Sequence, residues 1–219
     1  MIQMTLIQTI AIWLLPVLFG ITVHEVAHGW MASKLGDKTA KILGRLTLNP
    51  IKHIDLIGTV LLPLALLFFR SPFIFGWAKP VPISPKNFKH PRRDMVLVSL
   101  AGPLSNLLMA FIWAGVAKLG MILISSGLQW ATPILLMGQA GILVNVILMV
   151  LNLIPIPPLD GGRVVSGLLP GRLAYHYDRI EPYGFIILIV LLFTNVLGLI
   201  ITLPLNLILG FIFTIFGLK

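Results

Sequence analysis

Cysteine is absent from this 219-residue chain. Disulfides, thiolate metal ligands and cysteine nucleophiles are therefore excluded, and the redox compartment leaves no mark. Acidic residues are nearly as scarce, with 7 Asp and Glu against 16 Lys and Arg. Only 11% of residues are charged while 58% are hydrophobic, and mean hydropathy is +1.00. No stretch of domain size is polar enough to make a soluble unit. These shortages imply an integral membrane protein. The reading is a single membrane-embedded domain over residues 1–219, with a core at about 5–170 and a C-terminal transmembrane segment or hairpin at about 183–217. No repeat or low-complexity tract stands out.

The net charge of +9 first raises the question of nucleic acid. The basic residues are not interleaved with exposed aromatics, and they cluster between apolar spans. Loops facing an anionic inner leaflet explain them better, so the lipid bilayer is an expected partner and nucleic acid is not. No Lys or Arg precedes Lys34, so the basic n-region of a cleaved signal peptide is missing, and the first span is expected to stay in the mature protein.

Apolar segments run over Thr5–Ala32, Ile54–Phe69, Met95–Ala117, Ala131–Ile154 and Tyr183–Phe216. The last suits two short passes, with a break near Gly198–Pro204. Basic residues follow the first span (Lys34 to Lys52), precede the Met95 span (Lys79 to Arg93) and follow the Ala131 span (Arg163 to Arg179), while residues 119–132 carry no charge. The positive-inside rule places the three basic regions in the cytoplasm and the 119–132 loop outside. Residues 34–93 then begin and end on one side, so Ile54–Phe69 is predicted to be re-entrant or interfacial. The fold class expected is an all-α polytopic membrane protein: a transmembrane helix bundle with a re-entrant or β-like cytoplasmic-side element.

Within the first span stands His24-Glu25-Val26-Ala27-His28. On a helix, i and i+4 imidazoles project from one face and can share one Zn²⁺, with Glu25 placed as base toward a metal-activated water. Ionisable residues at membrane depth are functional by default. A catalytic zinc site needs a third protein ligand. Asp160 ends the run Asn152-Leu153-Ile154-Pro155-Ile156-Pro157-Pro158-Leu159-Asp160-Gly161-Gly162, whose prolines and glycines break the helix at the end of a span. Its alternative reading is a helix-terminating turn with Asp160 bonded to backbone amides. Depth favours the ligand. Nineteen residues of helix from Thr5 put His24 roughly 28 Å in, toward the inner end of its span, and the Ala131 span running inward brings Asp160 to the same side.

The HEVAH motif, the Asn152-xx-Pro155-x-Pro157-xx-Asp160-Gly161 run and Ala101-Gly102-Pro103-Leu104-Ser105-Asn106 together resemble the site-2 protease family of intramembrane zinc metalloproteases. Gly44-Arg45-Leu46-Thr47-Leu48-Asn49-Pro50 and Gly76-Trp77-Ala78-Lys79-Pro80-Val81-Pro82 resemble its short bacterial and archaeal members, and no segment resembles a PDZ or CBS domain. The resemblance implies one Zn²⁺ per chain held by His24, His28 and Asp160. It makes Glu25 the proton-transferring base and transmembrane proteins the substrates, in a prokaryotic cell membrane with the site toward the cytoplasm. It also implies that Asn106 and Asn152 lie near the site and bond substrate or oxyanion; interhelical packing is their alternative. A substrate helix must unwind, and a β-like element would take up its freed backbone groups, with Lys41–Asn49 and Trp77–Ile83 as candidates. Two competing functions are a divalent-cation transporter, which would need more ionisable groups in the spans, and a non-catalytic substrate-binding relative, for which the complete motif set has no use. Oligomeric state leaves no signal in the sequence.

Overall fold

The computed structural model describes residues 4–61, 65, 68 and 76–218. Most of Ile54–Phe69, and with it the question of re-entry, lies outside the described residues. Among them there is no β-strand. Eight α-helices carry the bundle: α1 (Leu6–Lys34), α2 (Thr39–Ile42), α3 (Pro91–Ser125), α4 (Thr132–Asn152), α5 (Asp160–Leu168), α6 (Gly171–Asp178), α7 (Glu181–Phe193) and α8 (Val196–Phe216). Four of them, α1, α3, α4 and α8, are long and apolar enough to cross a membrane, as an integral multi-pass protein requires.

Local signals set the helix ends. Thr5 and Gln8 form a reciprocal capping box at the start of α1, and Gly36 (φ 115°) follows its last turn. Proline occupies the first turn of α3, α4 and α7, where a missing N–H costs nothing. The apolar run from Tyr183 to Phe216 is divided at Asn195, which takes a left-handed φ of 60° between α7 and α8. The break falls at Asn195, ahead of the expected Gly198–Pro204; α7, with 13 residues, is shorter than a membrane-crossing helix and α8 has the length of one.

The centre of the bundle is the α3–α4 pair, joined by small residues. Ala110, Ala114 and Ala117 are completely buried against Ile142 and Val146, with Ile212 of α8 closing the cluster. A Cβ on Gly138 would sit 2.7 Å from that of Ala117, so only glycine allows this approach. In lipid, where apolar side chains gain little by leaving their surroundings, such close backbone packing supplies the adhesion. α1 packs on both α3 and α4. The C-terminus of α8 ends beside Phe111 and Lys118, at the far end of α3 from its basic start. Lys34, Arg92, Arg93 and Arg163 all sit at the opposite, basic end.

Between α2 and α3 the chain is irregular but closely tied. A 3₁₀ turn (Pro50–His53) and a π-helical turn (Leu56–Leu61) lead away from the bundle's basic end. The segment 76–84 returns to the same place, because Trp77 N–H donates to Gly58 O at 3.1 Å and Thr59 Oγ1 donates to Trp77 O at 2.8 Å. Gly58, Thr59 and Trp77 are thereby tied together.

Candidate metal centre

His24 and His28 project from the C-terminal half of α1 and are 8% and 7% exposed; Asp160, first residue of α5, is 7% exposed. Their ligand atoms form a nearly equilateral triangle. The two Nε2 atoms are 3.0 Å apart, and Asp160 Oδ2 lies 3.2 Å from His24 Nε2 and 3.3 Å from His28 Nε2.

Tautomers follow from what stands behind each ring. His28 Nδ1 lies 2.7 Å from Val98 O, a pure acceptor, so the proton is on Nδ1. His24 Nδ1 lies 2.6 Å from Asn106 Oδ1, and the amide orientation is fixed because Asn106 Nδ2 donates to Gly20 O at 3.0 Å. In the neutral form both rings thus carry their proton on Nδ1. Both Nε2 lone pairs, and a carboxylate oxygen with no hydrogen-bond partner among the described residues, point into one spot. Three buried acceptors with no donor repel one another unless a cation sits among them. Tetrahedral zinc with bonds of about 2.0–2.1 Å separates its ligands by about 3.3 Å, which matches the triangle. The residues fit the ion.

The AGPLSN element acquires a physical account. Val98, Gly102 and Asn106 are spaced i, i+4, i+8 on one face of α3, and that face lies against the imidazoles. Val98 holds His28, Asn106 holds His24, and Gly102 lies between. A Cβ on Gly102 would fall 2.6 Å from His24 Cε1 and into the His28 ring. Such partners fix ring orientation and tautomer in metal sites.

Asn106 is 0% exposed and wholly committed: Oδ1 to His24, Nδ2 to both Gly20 O and Asn145 Oδ1 at 3.0 Å. Its amide has no hydrogen left for substrate or an oxyanion, so its place is behind the ligand. Asn152 is partly exposed and donates to Leu148 O at 2.9 Å; no contact among the described residues joins it to the triangle. Sequence reasoning missed Asn145, which is 0% exposed and supports Asn106 while donating to Gly141 O. An Asn in an apolar run of a span was its only signal.

Glu25 Oε2 accepts a hydrogen bond from Val81 N–H at 2.8 Å. This brings the extended segment 76–84 over the turn of α1 that carries Glu25. Of the two stretches expected to be extended, Lys41–Asn49 begins inside α2, whereas Trp77–Ile83 has no helix. An open groove of about 780 Å³ runs on from Pro80 and Val81 between α3, α5 and α6, with Arg92 and Arg163 on one part of its wall and Asp178 and Glu181 on another.

A multi-span bundle that buries two histidines and an aspartate at one end, beside a glutamate, defines the class: a membrane zinc metalloprotease. The chain belongs to peptidase family M50, the family of the site-2 proteases. The family's model matches residues 118–195. The "Putative zinc metalloprotease YwhC" of Bacillus subtilis is 43% identical over 177 residues, 79% of this chain and 76% of that protein. The "Putative zinc metalloprotease Rip2" of Mycolicibacterium smegmatis is 29% identical over 208 residues, 88% of this chain and 69% of the relative. Rip2 of Mycobacterium tuberculosis is 31% identical over 159 residues, covering 71% and 54%. No solved structure matches the chain.

Proposed function

We propose that this chain hydrolyses peptide bonds in or near transmembrane segments of other membrane proteins, as in regulated intramembrane proteolysis. His24, His28 and Asp160 hold one zinc ion, Glu25 is the general base, and the site faces the cytoplasm. The observation that carries this reading is the triangle of buried ligand atoms toward the C-terminal end of a helix long enough to span a membrane, with the Glu25 carboxylate next in sequence to His24. When bound there, zinc supplies Lewis-acid polarisation of the scissile carbonyl and acidifies water.

The rest is the work of this chain's residues. Glu25 takes the proton of the attacking water on a carboxylate oxygen and passes it to the leaving amine nitrogen. Oε2 is engaged by Val81, so Oε1 is the oxygen available for this transfer. Asn106 and the Val98 carbonyl keep both Nδ1 protons in place, so neither ring can turn. The segment 76–84 meets the need of an unwound substrate. Its N–H groups at Trp77, Lys79 and Val81 all point inward, to Gly58, His53 and Glu25. Alternate residues face the other way, so the opposite edge presents the carbonyls of Ala78 and Pro82 and a single N–H, that of Ala78, while the Pro80 carbonyl accepts from Arg45 Nη2 at 3.4 Å. A substrate strand would donate its freed N–H groups to that edge, and its flanking residues would enter the groove beyond Val81.

The test is direct. The purified protein and Glu25→Gln, in detergent, are assayed for bound zinc and for cleavage of a model transmembrane substrate. About one zinc per chain in both, with cleavage by the wild type alone, supports the proposal. Ion flux in proteoliposomes without cleavage would identify a transporter instead.

A further inference from the structure

Asp37 is a carboxylate with 0% exposure, outside the spans, for which the metal site has no use. It lies just beyond the Gly36 turn that ends α1, and four donors converge on it. Oδ1 accepts from Thr39 N–H (3.1 Å), from Thr39 Oγ1 and from Asn87 Nδ2 (2.7 Å), and Oδ2 accepts from Ser84 N–H (2.7 Å). Two donors belong to the α1–α2 turn and two to residues 84–87. Burial by itself pushes the carboxyl up, but the bonds from Thr39, Asn87 and Ser84 outweigh it and hold the group below the ordinary carboxylate range. Asp37 is a buried, ionised staple between the end of α1 and the segment that crosses the metal centre.

Ser84 is three residues past Val81, whose N–H grips Glu25. The link is stiff, because Pro82 and Pro85 fix their own φ and restrict the residues before them. The far end of the segment is anchored as well. Lys79 N–H donates to His53 O at 2.9 Å, and Arg45 Nη2 donates to Lys79 O at 3.0 Å. α1 and the turn that follows it therefore grip one rod at two points, at Glu25 and at Asp37.

We infer that Asp37 is a positioning residue for Glu25: by fixing Ser84 it sets the register of the Val81 N–H, and that N–H holds the base in one orientation. The inference rests on the reading of Glu25 as the base. Oε1 has no protein partner among the described residues, so without the Val81 donor nothing in the segment fixes the carboxylate's rotamer.

The experiment uses the full-length, zinc-loaded protein in detergent with a transmembrane substrate. Asp37→Asn and Val81→Pro, which deletes the donating N–H, should each lower kcat about 10–100-fold, the scale of a small misplacement of a reacting group. Zinc content should stay at the wild-type value, and kcat should change by a larger factor than KM. Val81→Ala keeps the N–H and loses only the side chain, so it should lose less of kcat than Val81→Pro. Asp37→Asn/Val81→Pro should be no slower than Val81→Pro alone, because both act through one contact. Asp37→Glu should recover more of kcat than Asp37→Asn. Wild-type kcat in Asp37→Asn, multiplied losses in the double variant, or equal losses for Val81→Ala and Val81→Pro would each overturn the inference. If Asp37→Asn does not fold, Ser84→Pro, which removes the Ser84 N–H alone, must show the same kcat loss at unchanged zinc. Cleavage by Glu25→Gln would instead refute the reading of the base.

Discussion

Asn106→Leu separates holding a ligand from holding a bundle. The substitution keeps the volume and removes three hydrogen bonds: one to His24 Nδ1 (2.6 Å), one to Gly20 O and one to Asn145 Oδ1 (3.0 Å each). Interhelical hydrogen bonds in membrane proteins average about 0.6 kcal/mol, which gives about 2 kcal/mol of stability lost. Leaving the three buried partners wholly unpaired raises the figure above about 3 kcal/mol. The metal term is separate. A freed His24 ring can rotate, and loss of such a supporting bond costs about 10–100-fold in metal affinity, or about 1.4–2.7 kcal/mol. Asn145→Leu is the control. It removes the Asn106 and Gly141 bonds but leaves the His24 contact, so it should destabilise the bundle with less than about 3-fold effect on zinc. Zinc affinity is measured by competition with a chromogenic chelator, and stability by thermal unfolding in the same detergent. Equal zinc affinities for the two variants would refute the assignment of Asn106 to His24, whatever happened to stability.

Three further outcomes follow from the geometry. Gly102→Ala drives a methyl group into both imidazoles, so zinc content and cleavage should fall together by about 100-fold or more, with the helical circular dichroism retained. Asp37 has a folded-state pKa below its ordinary value, so its contribution is present above the unfolded pKa of about 3.9 and is lost as pH falls through the lower, folded value. Unfolding midpoints taken downward from about pH 5 should show this acid loss in the wild type and not in Asp37→Asn. Chelation should lower the unfolding temperature by a concentration-dependent amount, equivalent to about 4 kcal/mol for zinc at 1,000 times its Kd. His24→Ala, lacking a ligand, should be nearly insensitive to chelator.

The triangle was legible in the sequence because each vertex carried its own signal. The histidines were fixed by helical periodicity, and Asp160 by helix-breaking residues at the depth that the charged loops dictate. The support was not legible. Val98 acts through a carbonyl that any residue would offer, and Asp37 looked like one more charge in a basic loop. Asn106 and Asn145 are the same residue type in similar apolar surroundings, and only the docking of α3 on α1 decides which one meets His24. The C-terminal run illustrates the same limit, since its composition suits one pass or two until Asn195 adopts its left-handed turn.

The two ligand-bearing elements come from distant parts of the chain: α1, whose rings are cradled by α3, and α5, which begins at Asp160 of 219 residues. During synthesis the first two ligands enter the membrane long before the third exists, and the stripe Val98–Gly102–Asn106 arrives between them. A half-built copy has no place to keep the ion. A chain that ends before Asp160 carries only two of the three proposed ligands, so the site cannot be complete until that residue has been made.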